Sequence, residues 1–204
     1  SFLLLQQHFY AIDTFFVVGL EEVDNPSAML LAGRPKGVSG SCAVCIMEGT
    51  RPIIAEVQAL VVASNYGNAR RMATGFDYNR MSMLLAVLEK RAGFFMNNCD
   101  AYINVVGGLR LDEPATDLSV ALAMISSFKD TPIRDDTLVI GEIGLGGELR
   151  SVSNCEQRIK EAERLGFNRC IIPKHNLKTL SDGFKGNIEI VGARNVNEAY
   201  EAAV

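Results

Sequence analysis

Long apolar runs are missing from this sequence of 204 residues and 22.2 kDa. No stretch reaches the roughly 18 apolar residues that a membrane-spanning helix needs. The opening Phe2-Leu3-Leu4-Leu5 is short, is interrupted by Gln6, Gln7 and His8, and lacks a basic start, so it makes a poor signal peptide. Histidine is scarce: only His8 and His175 occur. The five cysteines (Cys42, Cys45, Cys99, Cys155, Cys170) are odd in number and follow no framework spacing, which points to a reducing compartment. Cys42-Ala43-Val44-Cys45 has C-x-x-C spacing but no second pair. Three-residue spacing in an extended run turns the two thiols to opposite faces, so buried strand cysteines are expected rather than a metal or redox site. Repeats, linkers and low-complexity tracts are also absent. The expectation is a soluble, cytoplasmic α/β domain.

What is present is ordinary globular composition, 48% hydrophobic and 22% charged, enough for one substantial core or two small ones. A net charge of −4 gives no global attraction to nucleic acid. Its distribution is uneven. Between Gly67 and Gly93, Arg70, Arg71, Arg80, Lys90 and Arg91 stand against Asp77 and Glu89, a local excess of three positive charges.

Along the chain, Asp24-Asn25-Pro26-Ser27 reads as a turn and Met29 to Ala32 as a short strand. The Gly33 to Gly40 loop lacks the glycine spacing of a phosphate-binding loop and leads into an apolar strand, Cys42 to Glu48. Ile53 to Ala63 is a second strand. Phe76 to Arg91 is the clearest helix: Met81, Leu84, Leu85 and Leu88 form its stripe, Arg80 and Lys90 lie off it, and Gly93 ends it. Ala101 to Val106 and Leu138 to Ile143 read as strands, with a helix over Asp117 to Phe128 between them. Ser153-x-x-Glu156 has the form of a capping box for a further helix stopped by Gly166. Cys170 to Ile172 and Ile188 to Val191 are strands, and Asn195 and Glu198 cap a terminal helix. Strands alternating with helices predict an α/β arrangement.

Three acids, Asp112, Glu113 and Asp117, surround Pro114. They are compatible with a metal or acid–base site, but acids at a helix N-terminus more often complement its dipole, and that is the expectation here. His175 has no evident partner.

The succession Asp112 to Asp117, Gly141 to Leu149, a helix from Asn154, then Ile171-Ile172-Pro173-Lys174-His175-Asn176 resembles the proteolytic domain of Lon. There a serine in a Lys-Asp-Gly-Pro-Ser-Ala-Gly segment pairs with a lysine at the start of the next helix. The matching positions here hold Ala115 and Glu156. Thr116 is about 100° around the helix from that position, Ser119 faces the interior, and a carboxylate is too weak a base near pH 7 to replace a neutral lysine.

A closer resemblance is to the C-terminal domain of the bacterial DNA-repair family RadA (Sms). It is carried by Glu48 to Pro52, Glu56 to Val61, Arg70 to Gly75, Asp77 to Arg80, Leu84 to Arg91, Asp100 to Tyr102, Val106 to Gly108, Gly141 to Arg150 and Glu156 to Arg158. It covers residues 21–204, and residues 1–20 match poorly. It implies an α/β (α+β) fold of the Lon proteolytic-domain, ribosomal-protein-S5-domain-2 type, with no peptidase activity. It also implies a hexameric ring that helps to bind single-stranded or branched DNA without sequence preference, next to a RecA-like ATPase domain active in branch migration and recombination. The sequence has no Walker A motif, four-cysteine finger or Lys-Asn-Arg-Phe-Gly motif, so ATP hydrolysis is expected to be absent from it, and no metal or cofactor is expected. Candidate DNA-contacting residues are Arg70, Arg71, Arg80, Lys90 and Arg91. No aromatic interleaves with these charges, so the pattern does not indicate base stacking. The alternatives are a Lon-like peptidase with a nonstandard nucleophile and a pure oligomerisation module.

Overall fold

The computed structural model describes residues 25–64, 69–180, 184 and 186–204; the opening 1–20 lies outside the described residues. Among them, seven strands form one sheet in the order β3-β4-β2-β1-β5-β8-β9. These strands are β1 (Ser41–Glu48), β2 (Arg51–Ala63), β3 (Arg71–Thr74), β4 (Cys99–Val105), β5 (Thr137–Val139), β8 (Arg169–Pro173) and β9 (Glu189–Ala193). β1 with β2 and β2 with β4 are antiparallel, and the other neighbours are parallel. A small antiparallel hairpin, β6 (Glu142–Ile143) with β7 (Leu149–Arg150), stands apart.

Period-two alternation along the strands builds two cores. On one face, Cys42, Val44, Ile53, Val57 and Ile103 pack with α2 (Tyr78–Val87), α3 (Asp117–Lys129) and α5 (Val196–Ala203). On the other, Ala43, Cys45, Ile54, Leu138, Ile140 and Cys170 pack under Cys155, Ile159 and Ala162 of α4 (Cys155–Arg164). Cys42 and Cys45 thus enter opposite cores, as their spacing predicts. Both thiols are pushed up to about 12 by burial.

α3 is buried on nearly every side, so its serines need internal acceptors. Ser119 donates to Val139 O at 2.6 Å, and Ser126 donates to Thr131 O at 2.7 Å. α2 starts at the Asp77 cap, whose carboxylate accepts from Arg80 N, and runs into one π-helical turn, Leu88–Ala92. Gly93, at φ 80°, takes the left-handed position that ends it.

Three sequence expectations are corrected. In place of a strand over Met29 to Ala32 there is a helix, α1 (Pro26–Leu31), with Ala32 as its C-cap, because Asn25 caps Ala28 N and Pro26 occupies the first turn. The strand expected over Leu138 to Ile143 breaks at Ile140–Gly141, where Gly141 N donates to Ala115 O and Leu118 N donates to Gly141 O. The capping box at Ser153 does not form: Asn154, in a left-handed conformation, is the cap residue of α4 and makes no side-chain cap bond. At the terminal helix the Asn195 cap does form, accepting from Glu198 N at 3.0 Å.

Candidate functional site

Ala115 sits in a 3-10 turn (Pro114–Thr116), buried in the α4-side core with Cys45, Ile54 and Cys155. Two hydroxyls close to it in the chain are committed as donors to backbone carbonyls. Thr116 donates to Glu113 O at 2.8 Å, and Ser119 to Val139 O. Glu156 accepts from Lys160 Nζ at 2.7 Å on the surface of α4. A serine nucleophile needs a base within hydrogen-bond reach.

Two arginines occupy the surroundings instead. Arg158 lies on the apolar stripe of α4 with its side chain 0% exposed. It forks onto Glu113, at 2.9 Å to Oε1 and 2.5 Å to Oε2, and donates to Cys45 O at 2.7 Å and Ser153 O at 3.2 Å. Glu113 also accepts from Met47 N at 2.8 Å, which ties the turn before α3 to the end of β1. Burial pulls the Arg158 pKa down, but the hydrogen bonds and charge of Glu113 outweigh it and hold the pKa above its ordinary value. The second fork joins Arg80 of α2 to the fully buried carboxylate of Asp117, which further accepts from Ile143 N of the hairpin at 3.2 Å. Burial pushes the Asp117 carboxyl up, against the hydrogen bond and charge of Arg80.

The acidic cluster around Pro114 is therefore split. Glu113 faces Arg158, Asp117 faces Arg80, and Asp112 makes only an exposed 3.5 Å contact with Arg110. Among the described residues, no group of three His, Cys, Asp or Glu side chains is placed to hold a metal ion.

The basic residues of the Arg70 to Arg91 stretch have different fates. Arg71 extends along the loop before β4 and donates to the carbonyls of Cys99, Met96 (3.2 Å) and Asn97 (3.3 Å). This clamps that loop onto β3. Arg80 is held by Asp117. Arg70 is exposed at the start of β3, its backbone N donating to Asp100 Oδ1 at 2.8 Å. Lys90 and Arg91 emerge exposed from the π-helical turn, and Arg91 Nε makes a 3.4 Å bond to Leu145 O of the hairpin. Lys90, Arg71, Met96 and Asn97 share the lining of a cavity of about 370 Å³. Phe95, next in chain to Met96, is 70% exposed. The fold thus presents an exposed aromatic ring on the clamped loop.

Arg158 and Phe95 are the residues that pattern reading passed over. Arg158 had a readable signal, since it falls on the stripe of Cys155, Ile159 and Ala162, where a lone arginine requires a buried partner. Phe95 follows an equally buried-looking Phe94, and only the packing of Phe94 against Tyr200 (5.8 Å, edge to face) separates them.

The mostly parallel sheet, helices on both faces and the hairpin beside α3 define a Lon-protease-like α/β domain. A family model described as subunit ChlI of Mg-chelatase matches residues 77–176. The chain is 52% identical to the DNA repair protein RadA of Halalkalibacterium halodurans over 91% of its own length and 40% of that protein. It is also 52% identical to the DNA repair protein RadA of Bacillus subtilis, over 91% of this chain and 40% of that protein. To that of Streptococcus pneumoniae it is 49% identical, over 90% of this chain and 43% of that protein. Over nine tenths of its own length the chain resembles the RadA DNA repair proteins, as a Lon-like C-terminal domain. It spans about 40% of the length of the curated relatives it matches. Among the described residues, no helix is long and apolar enough to cross a membrane.

Proposed function

We propose that this domain is a non-proteolytic scaffold that contacts DNA and assembles into a ring, six copies to a ring, beside a RecA-like ATPase domain of the whole repair protein. One observation carries the non-proteolytic part. The two dyad positions are a buried alanine and a glutamate paired to Lys160, and the space around them is locked by the Arg158–Glu113 and Arg80–Asp117 forks. A peptidase cleft needs a free nucleophile and open donors for an oxyanion. An unfolded protein substrate incubated with the chain is expected to remain intact; cleavage that survives purification and disappears on unfolding the chain would sink the reading.

The DNA contact is assigned to exposed Arg70, Lys90 and Arg91, and to Phe95 on the loop that Arg71 clamps. Arg71 and Arg80 belong to it as positioning residues, the first fixing the loop of Phe95 and the second fixing the start of α2. Exposed cations bind phosphates without reading sequence, and an exposed ring on a fixed loop can stack an unpaired base. Single-strand binding should therefore weaken as salt rises, and Arg70→Ala or Lys90→Ala should each lower the salt slope by about 0.7. Phe95→Ala should cost about 1–3 kcal/mol with the slope unchanged. Anisotropy titrations of a labelled oligonucleotide at several salt concentrations measure both. Slopes that do not move on removing Arg70 and Lys90 would defeat the assignment.

A further inference from the structure

The β6–β7 hairpin is held rigid from within and from outside. Its turn, Gly144-Leu145-Gly146-Gly147, is closed by Gly144 N donating to Glu148 O and Gly147 N donating to Gly144 O, both at 2.9 Å. The carboxylate of Glu148 folds back over this turn, so a side chain at Gly144 or Gly146 would collide with it. Its own backbone N–H first, then Arg150 at 3.2 Å and the N–H of Gly146, hold the Glu148 carboxyl below its ordinary value. The hairpin is braced at three further points. Ile143 N donates to the buried Asp117 of α3, Leu149 N donates to Arg194 O, and Gly147 O accepts from Val196 N at the start of α5. A fourth brace is Arg91, which reaches the tip from the π-helical turn Leu88–Ala92. A Cβ at Gly147 would lie only 2.9 Å from that of Arg91, and Arg91 Nε donates to Leu145 O at 3.4 Å. Irregular helical turns of this kind recur at functional sites. From this frame Leu145 projects with 69% of its surface exposed.

An exposed leucine on a slack loop is ordinary surface. A leucine on a braced turn is different, because it cannot retract when something presses on it. That is the requirement for a wedge. Proteins that part base steps push an apolar side chain between them, and the stack yields only if the element carrying that side chain does not give way first. Area argues against a protein partner at this tip. One side chain between glycines falls far short of the roughly 800 Å² per partner that a stable protein interface buries. Charge argues for nucleic acid. The exposed Arg91 contacts the tip, while the acid of the turn, Glu148, is occupied by the turn's own N–H groups and by Arg150. We infer that Leu145 is a wedge that enters DNA where paired strands begin, unstacking the first base pair while Arg91 holds the adjoining phosphate. The inference rests on the DNA contact proposed above, adds Leu145 to it and narrows its ligand to the junction of single and double strand. Asp117 then gains a second role as a positioning residue. It accepts from Arg80 of α2 and from Ile143 N of the hairpin, and so fixes the wedge relative to the helix that leads to Arg91.

The test uses a forked duplex with the base analogue aminopurine, which brightens on unstacking, in the first pair beside the single strands. At saturating protein the unmodified chain should raise the signal, and the same analogue in the middle of the duplex should stay dark. Leu145→Ser should lose most of the rise. Its affinity for a single strand, read by anisotropy, should stay within about twofold, because the side chain is exposed and supports no core. Leu145→Met keeps an apolar wedge and should keep the rise. A bound fork that does not brighten overturns the wedge and leaves the DNA contact standing. So does a Leu145→Ser chain that unstacks like the parent, or a Leu145→Met chain that behaves like Leu145→Ser. A chain that binds neither the fork nor the single strand removes the contact and the wedge together.

Discussion

Glu113→Ala is expected to destabilise the folded chain by about 3–5 kcal/mol, because it strands the guanidinium of Arg158 in the core without its counter-charge. The Arg158 side chain is 0% exposed, so Glu113 is its only counter-charge among the ion pairs of the described residues. Its remaining acceptors, Cys45 O and Ser153 O, are neutral, and Met47 N loses its acceptor in the same substitution. The companion result distinguishes a buried charge from a merely useful contact. Glu113→Leu combined with Arg158→Met removes both charges at similar volume and should recover most of the loss. Urea unfolding with a common m-value reads both. A loss under about 1 kcal/mol for Glu113→Ala would mean that Arg158 swings out to solvent and that the fork does not lock the turn before α3.

The second large effect is alkaline. Burial pushes the Cys42 and Cys45 thiols up to about 12, pushes Cys155 up to about 11, and raises Cys170 well above its ordinary value. In the unfolded chain these thiols ionise near pH 9. A group whose folded pKa is raised lends stability that is fully present below the unfolded pKa and is lost as pH climbs toward the folded one. The window therefore opens near pH 9 and closes near 12 for Cys42 and Cys45. Across it, each thiol removes up to about 1.4 kcal/mol per pH unit. Unfolding midpoints measured under reducing conditions should fall steeply above pH 9, and Cys42→Ala with Cys45→Ala should flatten the curve by about two protons' worth. At neutral pH the same burial keeps these thiols protonated and shielded, so a thiol reagent should modify Cys99 first, the half-buried one. Equal rapid labelling at all five positions, or a profile flat to pH 10, would contradict the burial of these strands.

The sequence by itself determined what depends on local pattern. Alternation fixed β1, β2 and β4 and sent Cys42 and Cys45 to opposite faces; 3,4 spacing fixed α2 and α3; Gly93 and Asn195 marked ends whose geometry is set within a few residues. Short-range conflict decided the misses. Six residues of α1 are too few for a period to declare itself, and Asn154 outcompeted Ser153 for the cap of α4. Only tertiary structure decided where the charges go. Asp112, Glu113 and Asp117 are neighbours in the chain, yet packing delivers each to a different arginine, on α4, on α2 and in the loop at Arg110. Arg71 and Arg70 are adjacent, yet strand alternation turns one inward to clamp carbonyls and leaves the other in solvent. The bare half of the sheet likewise has no sequence signature. Leu60 and Met72 become a surface because they fall outside the core under α4, and which part of a sheet a helix covers is set by long-range packing rather than by any residue's own preference.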